Sequence, residues 1–175
     1  MSRLPDQQYL WECFTYDGST GNLIWKVRPF NHFSSVRIAR GVNTRFAGKQ
    51  ALASLDSHGY FQGAINCRMY LAHRIIWKYV TGEEPLIVDH SDRVATNNRW
   101  NNLRAADHSS NQININRPRA SSGYAGVHQN KRNGKWIARI SKKHKRYYLG
   151  EFPDREEAAS VRRRAALDLY GDFVP

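Results

Sequence analysis

The stretch from residue 86 to residue 116 constrains the fold of this chain most, because polar side chains recur in it at fixed distances from a strand signal. A short apolar run leads directly to Asp89 and His90. Asn102 follows twelve residues after His90, and Asn111 follows nine residues after Asn102. Acidic, imidazole and amide groups at the ends of short elements can converge on one small pocket.

Strand and cap signals in this stretch predict the order strand, loop, strand, helix. The strands are predicted over 87–90 and 103–105, and residues 91–101 between them form a loop rich in asparagine. Asp107 is a suitable N-cap for a helix over 108–115. This order would place the histidine at the end of the first strand and the last asparagine about one turn into the helix, facing it.

The pattern resembles the HNH endonuclease family, in particular the phage and intron-encoded homing endonucleases with a single ββα-metal site. The residues that carry the resemblance are Val88-Asp89-His90, Asn97-Asn98, Asn102-Leu103-Arg104 and Asn111. The resemblance implies that His90 is the general base and that Asp89 and Asn111 hold one Mg²⁺ or Mn²⁺ ion. Asn102 would either orient the His90 ring or tie the loop together through backbone hydrogen bonds.

The chemistry of these residue types agrees with that interpretation. A neutral imidazole with an ordinary pKa of about 6.5 can accept a proton from water at cellular pH. Carboxylate and amide oxygens suit Mg²⁺, and a divalent cation stabilises the charge that develops on a phosphate. An Asp-His pair alone is more typical of a structural role, but its spacing to Asn102 and Asn111 favours an enzymatic one.

Two features leave alternatives open in this stretch. The Asp-Gly turn that is common after the Asp-His pair of the family is Asp92-Arg93 here, which predicts a loop of different shape. His108 is a rival metal ligand, because other branches of the family use a second histidine. We expect His108 to be a surface residue instead.

Upstream of this stretch, turn and periodicity signals predict β-hairpins and short helices. Helices are predicted over 5–15 and 72–80, and strands of a hairpin over 61–65 and 69–71. Residues 28–48 are basic and irregular, and a loop-rich β region is predicted there. That region could lie against phosphates or form a solvated face.

Several basic residues near the central stretch are candidate DNA contacts. They are His73, Arg74, Arg104, Arg117 and Arg119. An Ala-His-Arg sequence is common beside the active site in the family, which implies a phosphate contact for His73. A histidine at the start of a helix is more often a structural hydrogen-bonding group, so both roles stay open for it.

Residues 123–175 predict a small three-stranded antiparallel sheet followed by a helix. Asn133-Gly134 is a strong hairpin signal, and Asp154 with Glu157 forms a capping box at the start of the helix. This region is similar to the Apetala-type DNA-binding domain of plant ethylene-response factors, which is also found appended to phage HNH enzymes. The matching segments are GYAGVHQNKRNGKWIARI, YYLGEFPDREEAA and AALDLYGDF.

Alternation along these strands separates a basic face from an apolar one, and the basic face could enter the major groove as β-ribbon readers do. The residues predicted to face DNA are His128, Lys135, Arg139 and Arg146, and those predicted to face the helix are Val127, Ile137 and Ile140. His128 stands where the similar domains usually have arginine, so their base preference does not transfer. A solvated basic face is the alternative.

The charge of the chain points to a polyanionic partner. The net charge is +12 and the pI is about 10.0. Basic residues outnumber acidic ones by 15 to 9 in residues 1–120 and by 12 to 6 in residues 121–175, so the excess is not confined to one tail. This distribution favours a long footprint on a phosphate backbone, and we expect double-stranded DNA as the partner. A basic protein of ribosomal type would share the charge but would not need an Asp-His pair.

Cysteine usage and hydropathy set the expected compartment. Cys13 and Cys67 lie far apart without a CxxC motif, which argues against a zinc knuckle and a disulfide framework. The first twenty residues lack the apolar segment of a signal peptide, and no apolar run of 18 residues occurs. We therefore expect a protein of the cytoplasm, in the host cell if the gene belongs to a phage, without membrane contact. We also expect a monomer or a homodimer, because one HNH site makes one cut and only a dimer would readily break both strands.

Together these patterns predict an α+β fold in which β-hairpins and short helices precede the ββα-metal motif. The nuclease domain is predicted over 1–116 with its core at 86–116, the linker over 117–122 and the Apetala-type domain over 123–175. The favoured function is that of an Mg²⁺-dependent, homing-type DNA endonuclease that nicks or cleaves both strands. The alternatives are a sequence-specific DNA-binding regulator without nuclease activity and an RNA-binding protein.

Overall fold

The computed structural model describes residues 3–108, 111, 122–143 and 145–174. The chain divides into two compact units, Met1–Ala105 and Ala106–Pro175. Helices and small antiparallel sheets occur in both units, so the fold is a mixed α+β fold as predicted. Within the described residues, no helix is long and apolar enough to span a lipid bilayer.

The first unit combines short helices with small antiparallel sheets. Its described helices are α1 (Gln7–Cys13), α2 (Val36–Phe46) and α3 (Ala72–Thr81), and short 3-10 helices span Phe30–His32 and Trp100–Asn102. Its strands are β1 (Phe14–Asp17), β2 (Asn22–Trp25), β3 (Gln50–Ala51), β4 (Ser54–Leu55), β5 (Phe61–Ile65), β6 (Arg68–Leu71), β7 (Ile87–His90) and β8 (Leu103–Ala106), the last ending one residue inside the second unit. The sheet orders are β1-β2-β3, β4-β5-β6 and β7-β8.

The β5–β6 hairpin leads the chain into α3. Its turn residues Asn66 and Cys67 have φ values of 49° and 61°, the left-handed pair that a tight hairpin turn requires. Both strands predicted here are confirmed. The helix predicted after them is also confirmed as α3, and it ends at Gly82, whose φ of 75° suits a glycine C-cap.

The core of the first unit forms where α1 and α3 pack on these hairpins. Its most deeply buried side chains include Leu10, Phe14, Leu23, Ile65, Ile75 and Ile76. Val88 of β7 and Leu103 of β8 belong to the same cluster. Each such side chain stabilises the fold by about 1.5–3 kcal/mol through burial, so the ends of β7 and β8 are held firmly.

The central stretch has the predicted order as far as the structure describes it. β7 and β8 form a two-stranded sheet with the predicted loop between them. Residues 108 and 111 are helical, and the Asn111 N–H donates to the Asp107 carbonyl at 3.0 Å. The rest of the helix predicted over 108–115, and the predicted linker except for its last residue, lie outside the described residues.

The loop-rich β region predicted over 28–48 is wrong, because most of it forms helix α2. Ser35 caps the helix, and its side-chain oxygen accepts a hydrogen bond from the Ile38 N–H at 3.3 Å. Apolar residues recur behind the cap at three- and four-residue spacing, and Ala39 is fully buried among them. The many arginines between these positions obscured a helical period that was present in the sequence.

The second unit packs an antiparallel three-stranded sheet against a long helix, as predicted. Its elements are β9 (Val127–Gln129), β10 (Trp136–Lys142), β11 (Lys145–Phe152), α4 (Arg155–Tyr170) and a 3-10 helix over Gly171–Phe173. The strand order is β11-β10-β9. Asp154 caps α4 by accepting a hydrogen bond from the Glu157 N–H at 2.9 Å, so the predicted helix start is confirmed.

The strand register corrects one residue of the predicted apolar face. Val127 and Ile140 belong to the apolar clusters beneath α4, as expected. Val127 pairs with Ala138, whereas His128 pairs with Ile137. Directly opposite residues share a face, so Ile137 lies on the face away from the helix. Residues 137 and 140 differ by an odd number, and a regular strand cannot point both to one side.

Candidate active site

β7 ends with Asp89 and His90, and both side chains are buried in the first unit. Only 8% of Asp89 and 3% of His90 is exposed, because the preceding Val88 is fixed in the core. A buried carboxylate and a buried imidazole cost free energy unless polar groups compensate them. The hydrogen-bond partners of the two side chains therefore decide what the pair can do.

Asn98 is a partner of the His90 ring. The Nε2 atom of His90 lies 2.9 Å from Oδ1 of Asn98, and both side chains are buried. An amide oxygen can only accept, so Nε2 carries the proton and donates it in this pair. With Nε2 protonated, Nδ1 is the ring nitrogen that could accept a further proton. The sequence placed Asn98 in the motif but gave no signal for this role, because two asparagines stand next to each other there.

Asn102 uses its side chain to close the loop between β7 and β8. Its Oδ1 accepts from the Asp92 N–H at 3.0 Å and from the Ser91 hydroxyl at 2.7 Å. Its Nδ2 donates to Oδ1 of Asp92 at 2.9 Å and to the Asn97 carbonyl at 2.7 Å. Of the two roles expected for Asn102, these contacts correspond to tying the loop, whereas Asn98 is bonded to the His90 ring.

Replacing Asn102 with alanine is expected to lower the free energy of unfolding by about 2–4 kcal/mol, because the Asp92 N–H, the Asn97 carbonyl and two side chains of the loop would lose their partner. Urea denaturation of the purified variant measures this loss. Asn101→Ala is the matched control, since the neighbouring Asn101 is exposed and should change stability by less than about 0.5 kcal/mol. Equal stability of the two variants would contradict the role assigned to Asn102.

Asp92 and Arg93 shape the start of the same loop. Burial acts to raise the pKa of Asp92, but hydrogen bonds from the Val94 N–H and from the side chains of Asn97 and Asn102 lower it below its usual value. The carboxylate is therefore held charged as an acceptor inside the loop. Arg93 has a φ of 65°, the left-handed conformation that glycine adopts most easily. The arginine thus takes a backbone conformation that a glycine at this position would adopt without strain.

Arg104 of β8 is bonded to the Asp89 carboxylate. Its Nε and Nη2 lie 2.9 Å and 2.8 Å from Oδ2 of Asp89, and both side chains are largely buried. Removing one partner of such a pair typically costs about 3–5 kcal/mol, because the other charge stays buried. Arg104, predicted to contact DNA, is therefore placed where it holds and orients Asp89.

His73 of α3 lies against the His90 ring. The ring centroids are 5.1 Å apart in an edge-to-face arrangement, and Tyr60 lies 5.1 Å from His73 and 5.8 Å from His90. Burial, aided by the charges of His90 and Arg74, lowers the pKa of His73 to about 3. His73 is thus a neutral group in the wall behind His90.

Arg74 contacts the backbone just before β7, and the remaining candidate residues lie farther along the sequence. Arg74 donates to the carbonyls of Leu86 and Pro85 at 3.1 Å and 3.4 Å, so it fixes the segment that enters β7. His108 is exposed, in agreement with the expectation of a surface residue. Arg117 and Arg119 lie outside the described residues.

The basic residues predicted on the C-terminal sheet share one face. His128 lies opposite Ile137, and Arg146 lies opposite Ser141 two residues beyond Arg139, so the pairings put these side chains on the side away from α4. Lys135 immediately precedes β10, two residues before Ile137, and like His128, Arg139 and Arg146 it is exposed. Tyr148, opposite Arg139, is 61% exposed on the same face. The second unit therefore presents an open basic face with an aromatic side chain on it.

Comparison with known proteins agrees with the resemblance found in the motif. Residues 70–113 match the family model described as HNH endonuclease. The match covers about a quarter of the chain and includes α3, β7, the loop and β8, and hence Asp89, His90 and Asn102. No curated protein matches the chain. The matched segment supports an HNH nuclease domain in this part of the chain.

Proposed function

We propose that the protein is a DNA endonuclease of the HNH type that uses one Mg²⁺ or Mn²⁺ ion and His90 as general base. The observation that carries this proposal is the buried hydrogen bond between Nε2 of His90 and Asn98, within a segment that matches the HNH endonuclease family. A base must keep one nitrogen unprotonated and the ring fixed. A donor bond from Nε2 to an amide oxygen fixes the ring and leaves Nδ1 as the nitrogen that could accept the proton.

The catalytic step requires residues that move a proton and hold the phosphate in place. His90 would take a proton from the attacking water at Nδ1 and become an imidazolium, whose Nε2 proton remains bonded to Asn98. Tyr60 and His73 restrict rotation of the His90 ring by packing against it. Asn102 keeps the loop that contains Asn98 in its conformation.

Asp89 and Asn111 would hold the metal ion. Among the described residues, no three histidine, cysteine or acidic side chains cluster in a way that could hold a metal ion. One carboxylate and one amide oxygen fit Mg²⁺, which binds few protein ligands and keeps several waters. When bound, the ion would offset the negative charge on the phosphate and on the leaving 3′ oxygen. Arg104 would orient the Asp89 carboxylate toward this task.

The second unit would supply DNA binding and target choice, as its resemblance to Apetala-type domains implies. Its open basic face carries His128, Arg139 and Arg146, which suit phosphate and base-edge contacts in a groove. We propose a homing-type enzyme of phage or intron origin on the same grounds. One active site makes one cut, so a monomer would nick a duplex, and a homodimer would be needed to break both strands.

Supercoiled plasmid tests the proposal directly. Protein and Mg²⁺ are expected to convert it to the nicked circle, EDTA is expected to stop the conversion, and excess Mg²⁺ or Mn²⁺ is expected to restore it. Plasmid that stays supercoiled with Mg²⁺, while the same protein retards it in a gel, would overturn the endonuclease and indicate a DNA-binding regulator.

A further inference from the structure

Residues 26–50, which include helix α2, carry several positive charges and no negative ones. This segment contains six lysines and arginines and neither aspartate nor glutamate. Helix α2 lies within it and exposes Arg37, Arg40 and Arg45. Arg37 and Arg40 form no hydrogen bond or ion pair within the described residues, and there Arg45 only lies over the neighbouring Phe46 ring at 5.2 Å. The positive charge of α2 is therefore not neutralised by acidic side chains described in the structure.

The inner side of α2 is fixed to the rest of its unit. Ala39 is fully buried, and Asn43 binds the backbone of Arg28 twice, through its Oδ1 at 3.0 Å and its Nδ2 at 2.9 Å. The Arg28 guanidinium in turn packs over the rings of Trp25 and Phe33 at 4.8 Å and 4.5 Å. These contacts set which residues of α2 point outward.

The outer side of α2 carries positively charged side chains and a glycine that has no side chain. At about 100° per residue, Arg37, Gly41 and Thr44 lie along one line opposite the buried side, and Arg40 and Arg45 flank it. All five are exposed. A methyl group at Gly41 would meet no atom of the described residues within 4 Å, so packing among those residues does not explain a glycine there. Glycine weakens a helix interior and is favoured where another backbone approaches closely.

We propose that the outer face of α2, formed by Arg37, Arg40, Gly41, Thr44 and Arg45, binds the phosphate backbone of duplex DNA. The helix of 11 residues is about 16 Å long, and a duplex carries one negative charge per about 1.7 Å, so three arginines can contact phosphates at once. Gly41 is the point of closest approach. The inference rests on the proposed function only in taking DNA as the substrate, and it adds a second binding surface, in the first unit.

The test measures binding of the full chain to a duplex oligonucleotide over a range of salt concentrations, in EDTA so that no cutting occurs. Replacing Arg37, Arg40 and Arg45 together with glutamine is expected to lower affinity at least about tenfold. It is also expected to reduce the slope of log K against log salt by about one for each arginine. The matched variant with three lysines keeps the charge and is expected to keep most of the slope. An unchanged slope in the glutamine variant, or an equal loss in the lysine variant, would overturn the proposal.

The Gly41→Ala variant tests whether the DNA backbone contacts α2 at Gly41 or is only attracted by the positive charge of the helix. Alanine favours the helix, so the variant is expected to unfold at a temperature about 2–4 °C higher than the wild type. Its affinity for the duplex is expected to fall several-fold, because the methyl group would hold the DNA backbone away. A more stable variant with unchanged affinity would overturn close approach at Gly41.

The outcomes distinguish this inference from the proposed function. If the wild type does not nick plasmid with Mg²⁺ but the glutamine variant shows a smaller slope of log K against log salt, DNA binding by α2 is supported and the endonuclease activity is wrong. If the wild type nicks plasmid and the glutamine variant keeps the full slope, the endonuclease activity is supported and DNA binding by α2 is wrong. An RNA duplex of the same sequence that competes as well as DNA would overturn the choice of partner.

Discussion

Replacing His90 with alanine is expected to lower the single-turnover rate of DNA cutting by about 10²- to 10⁴-fold, the usual contribution of a positioned general base. Binding to the duplex should change little, because the buried ring contributes little to the surface that meets DNA. The rate is measured on a defined duplex with protein in excess and saturating Mg²⁺. Imidazole added to the buffer should restore part of it.

His58→Ala is the matched control, since His58 is exposed in the turn before β5 and should keep the wild-type rate within about twofold. Asn98→Ala should cut more slowly than the wild type but faster than His90→Ala, and its pH optimum should move because the ring loses its fixed donor bond. If His90→Ala cut the duplex at the wild-type rate, the assignment of the base would be wrong.

The protein is expected to lose stability as the pH falls below about 6.5, and His73 is expected to contribute about 2 kcal/mol of that loss between pH 7 and pH 5. The pKa of His73 is about 3 in the folded protein, against 6.5 for an unperturbed histidine. Below pH 6.5, His73 is protonated in the unfolded chain but stays neutral in the folded one. Each further pH unit therefore lowers the free energy of unfolding by about 1.4 kcal/mol until the pH reaches about 3. Above pH 6.5 this contribution is constant.

Urea unfolding at pH 7, 6 and 5 measures the effect, with His73→Phe as the comparison. Phenylalanine keeps a flat aromatic ring at this position and cannot titrate, so the variant should show a weaker pH dependence by about 2 kcal/mol over this range. All other titrating groups are common to the two proteins. Parallel curves for the wild type and the variant would show that His73 is not a buried neutral ring.

The order of elements around Asp89 and His90 could be predicted because residue patterns within short windows of the sequence determine it. The apolar run of β7 and the asparagine-rich loop are visible in a short window, and so is the Asp154 cap of α4. The same local signals predicted the β5–β6 hairpin and α3. Such features depend on neighbours within a few residues, so one sequence contains most of what determines them.

The partners of the site could not be predicted, because they depend on register and on contacts between distant residues. Arg104 meets Asp89 only through the alignment of β8 with β7, and nothing in the sequence separates this role from a DNA contact. His73 reaches His90 because α3 packs behind β7. The choice of Asn98 over Asn97 depends on the conformation of the loop, which Asn102 fixes through four side-chain hydrogen bonds.

Our central proposal is that Asp89 and Asn111 serve the same metal ion, and a double-mutant cycle tests it most directly. Single-turnover cutting is measured for the wild type, Asp89→Ala, Asn111→Ala and the double variant at saturating Mg²⁺. Residues that serve one ion are not additive, so the double variant should cut about as slowly as the more impaired single variant. Losses that multiply in the double variant, or a wild-type rate in Asn111→Ala, would contradict the claim.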